Sequence, residues 1–213
     1  MTYLIKGSTL AFCSLLLLQP PSVSTGAGAS QSERISRRAA KLVEDKLEPK
    51  EHGLGAEVQR IVATFYTDLS EVHAARDEAL RALPGGDVAA WHRLQFGSEK
   101  EAEAVYGKFL GALARVLTPE QVTAIKDGMT FDMVPSSVAT YQRMFPQLEA
   151  RHRDQLRAWL EASREGAITA GSAETKLDVF RVNKLRMHAY LETQGLDVAA
   201  AVQAEEARKS GDQ

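Results

Sequence analysis

The residues of this chain that could bind a ligand fall on helical stripes that are otherwise apolar. Arg76 follows Val58 by about five helical turns, so it lies at the centre of the apolar stripe that runs from Val58 to Leu83. His73 and Asp77 lie on the same turn as Arg76. A buried guanidinium without an acceptor is costly, so Arg76 must reach solvent or meet a carboxylate or a ligand.

A second stripe, near the carboxyl end of the chain, carries two more cations. Lys184 follows Phe180 by four residues and precedes Met187 by three, so the helical spacing predicts that it faces inward. Lys176 lies near the edge of the same face. Cations therefore occupy inward positions on two separate predicted helices.

Two interpretations of these cations stay open. In the first, Arg76 and Lys184 lie between helices and converge on one polar cavity with Asp77 and Tyr190, where a guanidinium and an ammonium could bind an acidic or hydroxyl-rich sugar. In the second, each cation neutralises a structural carboxylate, for which the candidates are Asp127, Asp132 and Glu165.

Two smaller arrangements also have both a functional and a structural interpretation. His73 and Asp77 are one helical turn apart and could share a metal ion, but a hydrogen bond or a solvated ion pair also satisfies them, and we predict no metal site. Trp91 and Phe96 could form a platform on which a sugar ring stacks, or they could close one end of a helical bundle.

Motifs and charge exclude several classes of function. The sequence lacks the G-x-S-x-G, H-E-x-x-H, P-loop and dinucleotide-binding motifs, so we predict no catalytic residue and no cofactor. Its 26 Lys and Arg against 28 Asp and Glu give a formal net charge of −2, which does not favour a nucleic-acid partner.

The amino-terminal segment 1–29 has the pattern of a cleaved signal peptide. Lys6 precedes an apolar run, Leu10–Leu18, and Ala27-Gly28-Ala29 supplies the small residues of a cleavage site. The run is too short to span a bilayer, so we expect no stable membrane insertion after cleavage. The sequence therefore predicts a periplasmic or secreted protein that begins at Ser30 and has lost its single cysteine, Cys13.

Apolar residues recur at helical spacing throughout the remaining chain, and sustained strand-like alternation is absent. We therefore predict an all-α fold, a bundle of five to six helices. Residues 30–55 are expected to form a charged helix and a linker, 56–197 a single helical domain, and 198–213 a polar tail that frays.

Local signals predict where the helices begin. Thr118-Pro119-Glu120-Gln121 combines a cap residue with Pro in the first turn, and Ser172 is a second cap. Ser98 followed by Glu101 predicts a capping box, which would leave segment 87–97 irregular. The glycines in His52-Gly53-Leu54-Gly55 are expected to break the chain before the long second helix.

Several runs resemble a domain-of-unknown-function family of exported bacterial proteins. The resemblance covers roughly residues 41–197 and is carried by Leu117-Thr118-Pro119-Glu120-Gln121, Lys126-Asp127-Gly128-Met129-Thr130, Tyr141, Pro146, Arg164-Glu165, Ala167, Gly171-Ser172, Lys176, Phe180, Lys184, Arg186 and Tyr190-Leu191. Upstream matches are Tyr66, Leu69, His73 and Ala75-Arg76-Asp77.

The resemblance implies a carbohydrate context, because the family is described as sugar-binding and occurs in polysaccharide-degrading bacteria. This chain has His188-Ala189 where the family tends to carry an Asn pair, which implies a different ligand. The candidate ligand-binding set, from the stripes and the resemblance together, is His73, Arg76, Asp77, Trp91, Lys176, Lys184, Arg186 and Tyr190.

The preferred functional hypothesis is an exported accessory protein that binds a sugar or oligosaccharide in a polar pocket between helices. The first alternative is a periplasmic helical chaperone, because Leu117-Thr118 and Gln121 fit a Leu-Thr-x-x-Gln motif. The second is a carbohydrate-active enzyme. A closed polar pocket would favour the sugar, and an exposed apolar concavity would favour the chaperone.

Overall fold

A computed structural model describes residues 30–47 and 52–211, and within these ranges the protein is all-α, as the sequence predicts. The described part of the chain contains eight helices rather than five to six. They are α1 (Gln31–Lys46), α2 (His52–Ala82), α3 (Val88–Leu113), α4 (Pro119–Met129), α5 (Met133–Met144), α6 (Ala150–Ile168), α7 (Ala173–Thr193) and α8 (Val198–Gly211). Over the same ranges, none of these helices combines the length and the apolar character that a membrane span requires. The signal-peptide prediction for 1–29 lies outside the described residues.

The buried apolar side chains form two cores. The amino-terminal core is built by α1 to α4 and includes Val58, Phe65 and Leu113. The carboxyl-terminal core is built by α5 to α8 and includes Leu160 and Met187. Helix α6 joins the two, because Ile168 packs into the first core and Leu160 into the second. Polar residues near this junction therefore lie between two apolar clusters.

The two strongest helix-start signals of the sequence are confirmed. At α4, the Gln121 amide donates to Thr118 Oγ1 (3.3 Å) while the Gln121 side chain accepts from the Thr118 amide (2.9 Å), with Pro119 in the first turn. At α7, the Thr175 amide donates to Ser172 Oγ (3.1 Å) and the Thr175 hydroxyl accepts from the Ser172 amide (3.0 Å). These reciprocal bonds satisfy amide groups that a helix start otherwise leaves unpaired.

The predicted helix start at Ser98 is wrong. Asp87 caps α3 by accepting a hydrogen bond from the Ala90 amide (2.9 Å), and the helix then continues through the segment 87–97. Ser98 is a buried residue inside the helix. The segment looked irregular because its large apolar residues face solvent, so burial periodicity could not identify it as helical.

The predicted boundary between residues 55 and 56 differs from the structure. The break expected at 52–55 falls inside α2, and Gly55 lets α1 approach, since a Cβ there would lie 3.6 Å from Val43. Helix α1 also packs closely on α4, because a Cβ at Gly128 would clash with the side chain of Leu42. The amino-terminal helix is therefore part of the fold.

The tail that was expected to fray forms α8 instead. Val198 is buried in the carboxyl-terminal core, and Glu205 bonds to Arg143 of α5 (2.8 Å) and to Arg208 (3.0 Å). Hydrogen bonds from Arg208 and Arg143 lower the pKa of Glu205 to about 2. Packing of Val198 in the core and the ion pair to α5 thus stabilise a helix that would be marginal in isolation.

Candidate functional site

The polar residues of the junction gather at the carboxyl end of α4. After Met129 the chain turns through Phe131 and Asp132, two non-glycine residues with left-handed φ values of 60° and 54°. Such residues are strained, at a cost of about 1–3 kcal/mol each, and persist where neighbouring contacts hold them. Here Lys46 of α1 contacts the Asp132 carboxylate at 2.5 Å, and the Asp132 amide donates to the Asp127 carbonyl at 2.8 Å.

At this helix end lies a cluster that we call the ion-pair network: Tyr106, Lys126, Asp127, Arg164 and Glu165. Buried Arg164 contacts Asp127 at 2.8 Å and Glu165 at 3.2 Å. Lys126 contacts Glu165 at 2.6 Å, and the Tyr106 hydroxyl donates to the same carboxylate at 2.5 Å. Two cations and two carboxylates therefore compensate one another, and the tyrosine adds a hydrogen bond.

The pKa values in the ion-pair network follow from these contacts. Burial alone would raise the pKa of Glu165, but hydrogen bonds from Lys126 and Tyr106 and the charges of Lys126 and Arg164 outweigh it and lower the pKa. Burial and the bond to Glu165 raise the pKa of Tyr106. At neutral pH the carboxylate is ionised and the phenol is protonated, as a structural ion pair requires.

A second cluster, Arg38, Tyr66 and Lys176, meets the same helix end through Lys176, and we call it the donor cluster. Lys176 is 3% exposed, and its ammonium donates to the Met129 carbonyl at 3.1 Å and lies 5.7 Å from the centre of the Tyr66 ring. The Arg38 guanidinium lies 4.8 Å from the same ring centre. The Tyr66 hydroxyl is buried and has no hydrogen-bond partner among the described residues.

The donor cluster lacks the compensation of the ion-pair network. Within the described ranges, no carboxylate lies within 4 Å of the Lys176 ammonium or the Arg38 guanidinium. Burial, together with the charge of Arg38, lowers the pKa of Lys176 to about 7. Burial also raises the pKa of Tyr66, and the nearby Arg38 guanidinium opposes the rise through its charge and as a donor toward the hydroxyl oxygen. The cluster thus contains two cations and a phenol, with one carbonyl as acceptor.

The predicted residues His73, Arg76 and Asp77 have partners within the protein, except that His73 Nδ1 is buried without a hydrogen-bond partner among the described residues. Arg76 contacts Asp77 at 2.7 Å, so its partner is its own neighbour in the sequence. His73 Nε2 donates to the Thr169 carbonyl at 2.9 Å, and Gly171 packs against the ring, where a Cβ would approach to 3.2 Å. In the described part of the chain, no group of three or more His, Cys, Asp or Glu could hold a metal ion.

Lys184 does not face the core, and this prediction is wrong. Its neighbours on the stripe, Phe180 and Met187, are buried, but the Lys184 side chain is exposed. A lysine at an inward position can extend its four-carbon stem along the apolar surface and leave the ammonium in water. Lys176, predicted only at the edge of the stripe, is the buried cation of α7.

The last two predicted residues, Arg186 and Tyr190, lie beside Trp159 on the surface of α6 and α7. The Arg186 guanidinium lies 4.2 Å from the centre of the indole, and the Tyr190 ring meets it edge-on at 5.1 Å. His152 Nδ1 and the Tyr190 hydroxyl are 2.6 Å apart, and the Asn183 amide donates to the Trp159 carbonyl at 2.8 Å. We call these five residues the aromatic surface.

Trp91 and Phe96 form neither the predicted platform nor a plug. They are 45% and 59% exposed, so neither closes the end of the bundle. Both belong to α3 and are five residues apart, which separates them by about 140° around the helix, so they share no face. Trp91 contacts His92 edge-on at 5.1 Å.

The single pocket shared by Arg76 and Lys184 is therefore not formed. Along α7, Lys176 and Tyr190 are about 21 Å apart at 1.5 Å per residue, so the predicted residues divide between two regions. Two surface cavities, of 240 Å³ beside α1 and α2 and of 80 Å³ beside α5 and α6, include none of the eight predicted residues.

Sequence reasoning did not select Tyr66 and Arg38 of the donor cluster or Trp159 of the aromatic surface. Tyr66 matched the family resemblance, and its position on the second helix was the available signal. Arg38 and Trp159 carried no signal beyond an ordinary charged face and an apolar face. Asp127 and Glu165 were correctly considered as structural carboxylates, but their partners are Arg164 and Lys126 rather than the predicted cations.

These features define an all-α protein in which two helical cores meet around buried charges. The model of one family, described as "Protein of unknown function (DUF3826)", matches residues 32–210. The chain belongs to this family, so the predicted resemblance to a domain-of-unknown-function family is confirmed. No curated protein matches the chain.

Proposed function

We propose that this protein is an exported accessory protein that binds a carbohydrate at the aromatic surface of α6 and α7. The observation that carries the proposal is the Arg186 guanidinium, which is exposed, lies over Trp159 and has no carboxylate within 4 Å among the described residues. Its donors are therefore free for a ligand. Half-buried Trp159 and Tyr190 provide apolar surface next to these donors.

The chemistry of the aromatic surface suits a sugar. A pyranose presents C–H groups on its faces and hydroxyl groups at its edge, so its hydroxyl groups can meet the guanidinium that covers the indole face while its C–H groups pack against half-buried Tyr190. A guanidinium adds bidentate recognition of a carboxylate or of two neighbouring hydroxyl groups. An acidic or hydroxyl-rich oligosaccharide is the ligand class that these groups favour.

The hydroxyl of Tyr190 adds an oriented donor. Arg151 Nε donates to His152 Nε2 at 3.1 Å, so in the neutral ring the remaining proton is on Nδ1 and is donated to the Tyr190 oxygen. The Tyr190 O–H then has no acceptor among the described residues. It can donate to a sugar hydroxyl beside Trp159.

The binding experiment compares two arginines of the same helix. Wild type, Arg186→Gln and Arg181→Gln are tested on an array of neutral and uronate-containing oligosaccharides, and the best ligand is titrated by calorimetry. We expect Arg186→Gln to weaken binding by about 1–3 kcal/mol, because a charge-assisted hydrogen bond is lost. Exposed Arg181, which pairs with Asp178, is the control and should leave affinity unchanged. Equal affinity in all three proteins, or no binding, would contradict the proposal.

The two alternative functions give different results on the same protein. Val182 and Leu185 on α7 are each 69% exposed, which is the apolar surface that a chaperone of unfolded clients would use. Suppression of client aggregation without oligosaccharide binding would favour the chaperone. Release of shorter products from a bound oligosaccharide would favour the enzyme.

The export part of the proposal rests on the signal-like pattern of residues 1–29. Amino-terminal sequencing of protein recovered outside the cytoplasm is expected to begin at Ser30. A sequence that begins at Met1 would contradict it.

A further inference from the structure

Three donor groups of the donor cluster lie at the ring of Tyr66, and one of them is its own hydroxyl. The Lys176 ammonium and the Arg38 guanidinium lie 5.7 and 4.8 Å from the centre of the Tyr66 ring, and the Tyr66 hydroxyl is buried without a partner among the described residues. The Met129 carbonyl accepts one hydrogen bond from Lys176. An ammonium has three N–H donors and a guanidinium has five, so most donors of the cluster have no acceptor in the described protein.

The two carboxylates at the carboxyl end of α4, Asp127 and Asp132, are already paired with other cations. Asp127 contacts Arg164 at 2.8 Å, and Asp132 contacts Lys46 at 2.5 Å. Neither lies within 4 Å of Lys176. The described protein thus keeps a buried lysine next to an exposed arginine without supplying an acidic side chain, and the charged lysine is costly there unless it loses its proton or another anion is bound.

We propose that the donor cluster is a binding site for a small oxyanion, held between the Arg38 guanidinium, the Tyr66 hydroxyl and the Lys176 ammonium. The shared chemistry is that of a carboxylate, sulfate or phosphate group. Such a group offers several acceptor oxygens to the donors that lack them, and Arg38, which is exposed, provides the approach from solvent. An anion would also favour the protonated form of Lys176.

The site is separate from the aromatic surface. Lys176 and Arg186 are ten residues apart on α7, which corresponds to about 15 Å. Anion binding at Lys176 can therefore succeed or fail independently of carbohydrate binding at Arg186.

The test titrates the full mature chain with sodium sulfate, sodium phosphate and sodium acetate by calorimetry, against sodium chloride at equal ionic strength. We expect at least one of the three anions to bind. The anion that binds most tightly identifies which group, sulfate, phosphate or carboxylate, the site prefers. Arg38→Gln and Tyr66→Phe are each expected to weaken that binding about tenfold or more, because each removes a donor. Arg37→Gln, an exposed arginine of the same helix, is the matched control and should bind as wild type does.

Two results would overturn the proposal. One is the absence of binding by all three anions. The other is equal binding by wild type, Arg38→Gln and Tyr66→Phe, which would indicate a general ionic effect. Lys176→Met is a third variant, but the test does not depend on its folding, because Tyr66→Phe removes only a buried hydroxyl that has no partner among the described residues.

Discussion

Two groups of polar residues contact the last turn of α4, and they differ in how their charges are balanced. In the ion-pair network, Arg164 and Lys126 each contact a carboxylate within 3 Å. In the donor cluster, Lys176 is also buried but bonds to a backbone carbonyl instead. Since both groups contact the same helix end, the difference arises from the side chains that α1, α2, α3, α6 and α7 bring to it.

The comparison distinguishes charged side chains that are paired within the protein from charged side chains whose donors are available to a ligand. The ion-pair network is complete by itself, so removing one member leaves a buried charge without its partner. The donor cluster is incomplete by itself, so removing a member relieves a cost unless a ligand completes it. Burial of a charged residue is therefore not sufficient evidence of function, and the identity of its partner is the informative observation.

The largest effect is expected from breaking the ion-pair network. Arg164→Met should lower the free energy of unfolding by about 3–5 kcal/mol, because Asp127 and Glu165 lose their buried cation. Denaturant titration measures the loss. Arg157→Met, an exposed arginine of the same helix, should change it by less than about 0.5 kcal/mol. A loss below about 1 kcal/mol for Arg164→Met would contradict the structural role.

The next effect concerns the pH dependence of the donor cluster. Because burial lowers the pKa of Lys176 to about 7, the unfolded chain binds more protons at this residue than the folded chain between about pH 7 and 10. The free energy of unfolding of wild type should therefore rise with pH across this interval. Relative to Lys176→Met, the rise should be at most about 1.4 kcal/mol per pH unit.

The measurement is a set of denaturant titrations of both proteins in chloride buffers across that interval, since an oxyanion at the cluster would raise the pKa of Lys176 and reduce the slope. Parallel curves for wild type and Lys176→Met would show that the ammonium is already compensated.

The smallest effect comes from removing one hydroxyl from each group. Tyr106→Phe should lower the free energy of unfolding by about 1.5–3 kcal/mol, because Glu165 loses a hydrogen bond to a charged group. Tyr66→Phe should leave it unchanged or raise it by up to about 1 kcal/mol, since the Tyr66 hydroxyl has no partner among the described residues. The two variants serve as controls for each other in thermal or denaturant unfolding. A loss of equal size in both would remove the distinction between the two groups.

Much of the fold could be predicted from local sequence. The caps at Thr118 and Ser172 depend on residues three positions apart, so short-range chemistry determines them. The inward positions Phe180, Met187 and Leu191 follow from helical periodicity alone, and all three are buried. By contrast, α8 was missed because its docking depends on Arg143, which is 62 residues away from Glu205 in the sequence.

The sequence by itself determined the all-α class, the positions of the strongest caps and which helical faces are apolar, because these depend on spacings within one or two turns. Only the tertiary structure decided the partner of each charge. Arg76 pairs with its neighbour Asp77, whereas Arg164 pairs with Asp127 across 37 residues, and helical periodicity cannot distinguish these cases. Lys184 and Lys176 lie on the same helix, yet one is exposed and the other is buried against the end of α4. A long side chain can direct its charge to water or to a neighbouring helix, so its environment depends on what the packing of the other helices places within reach.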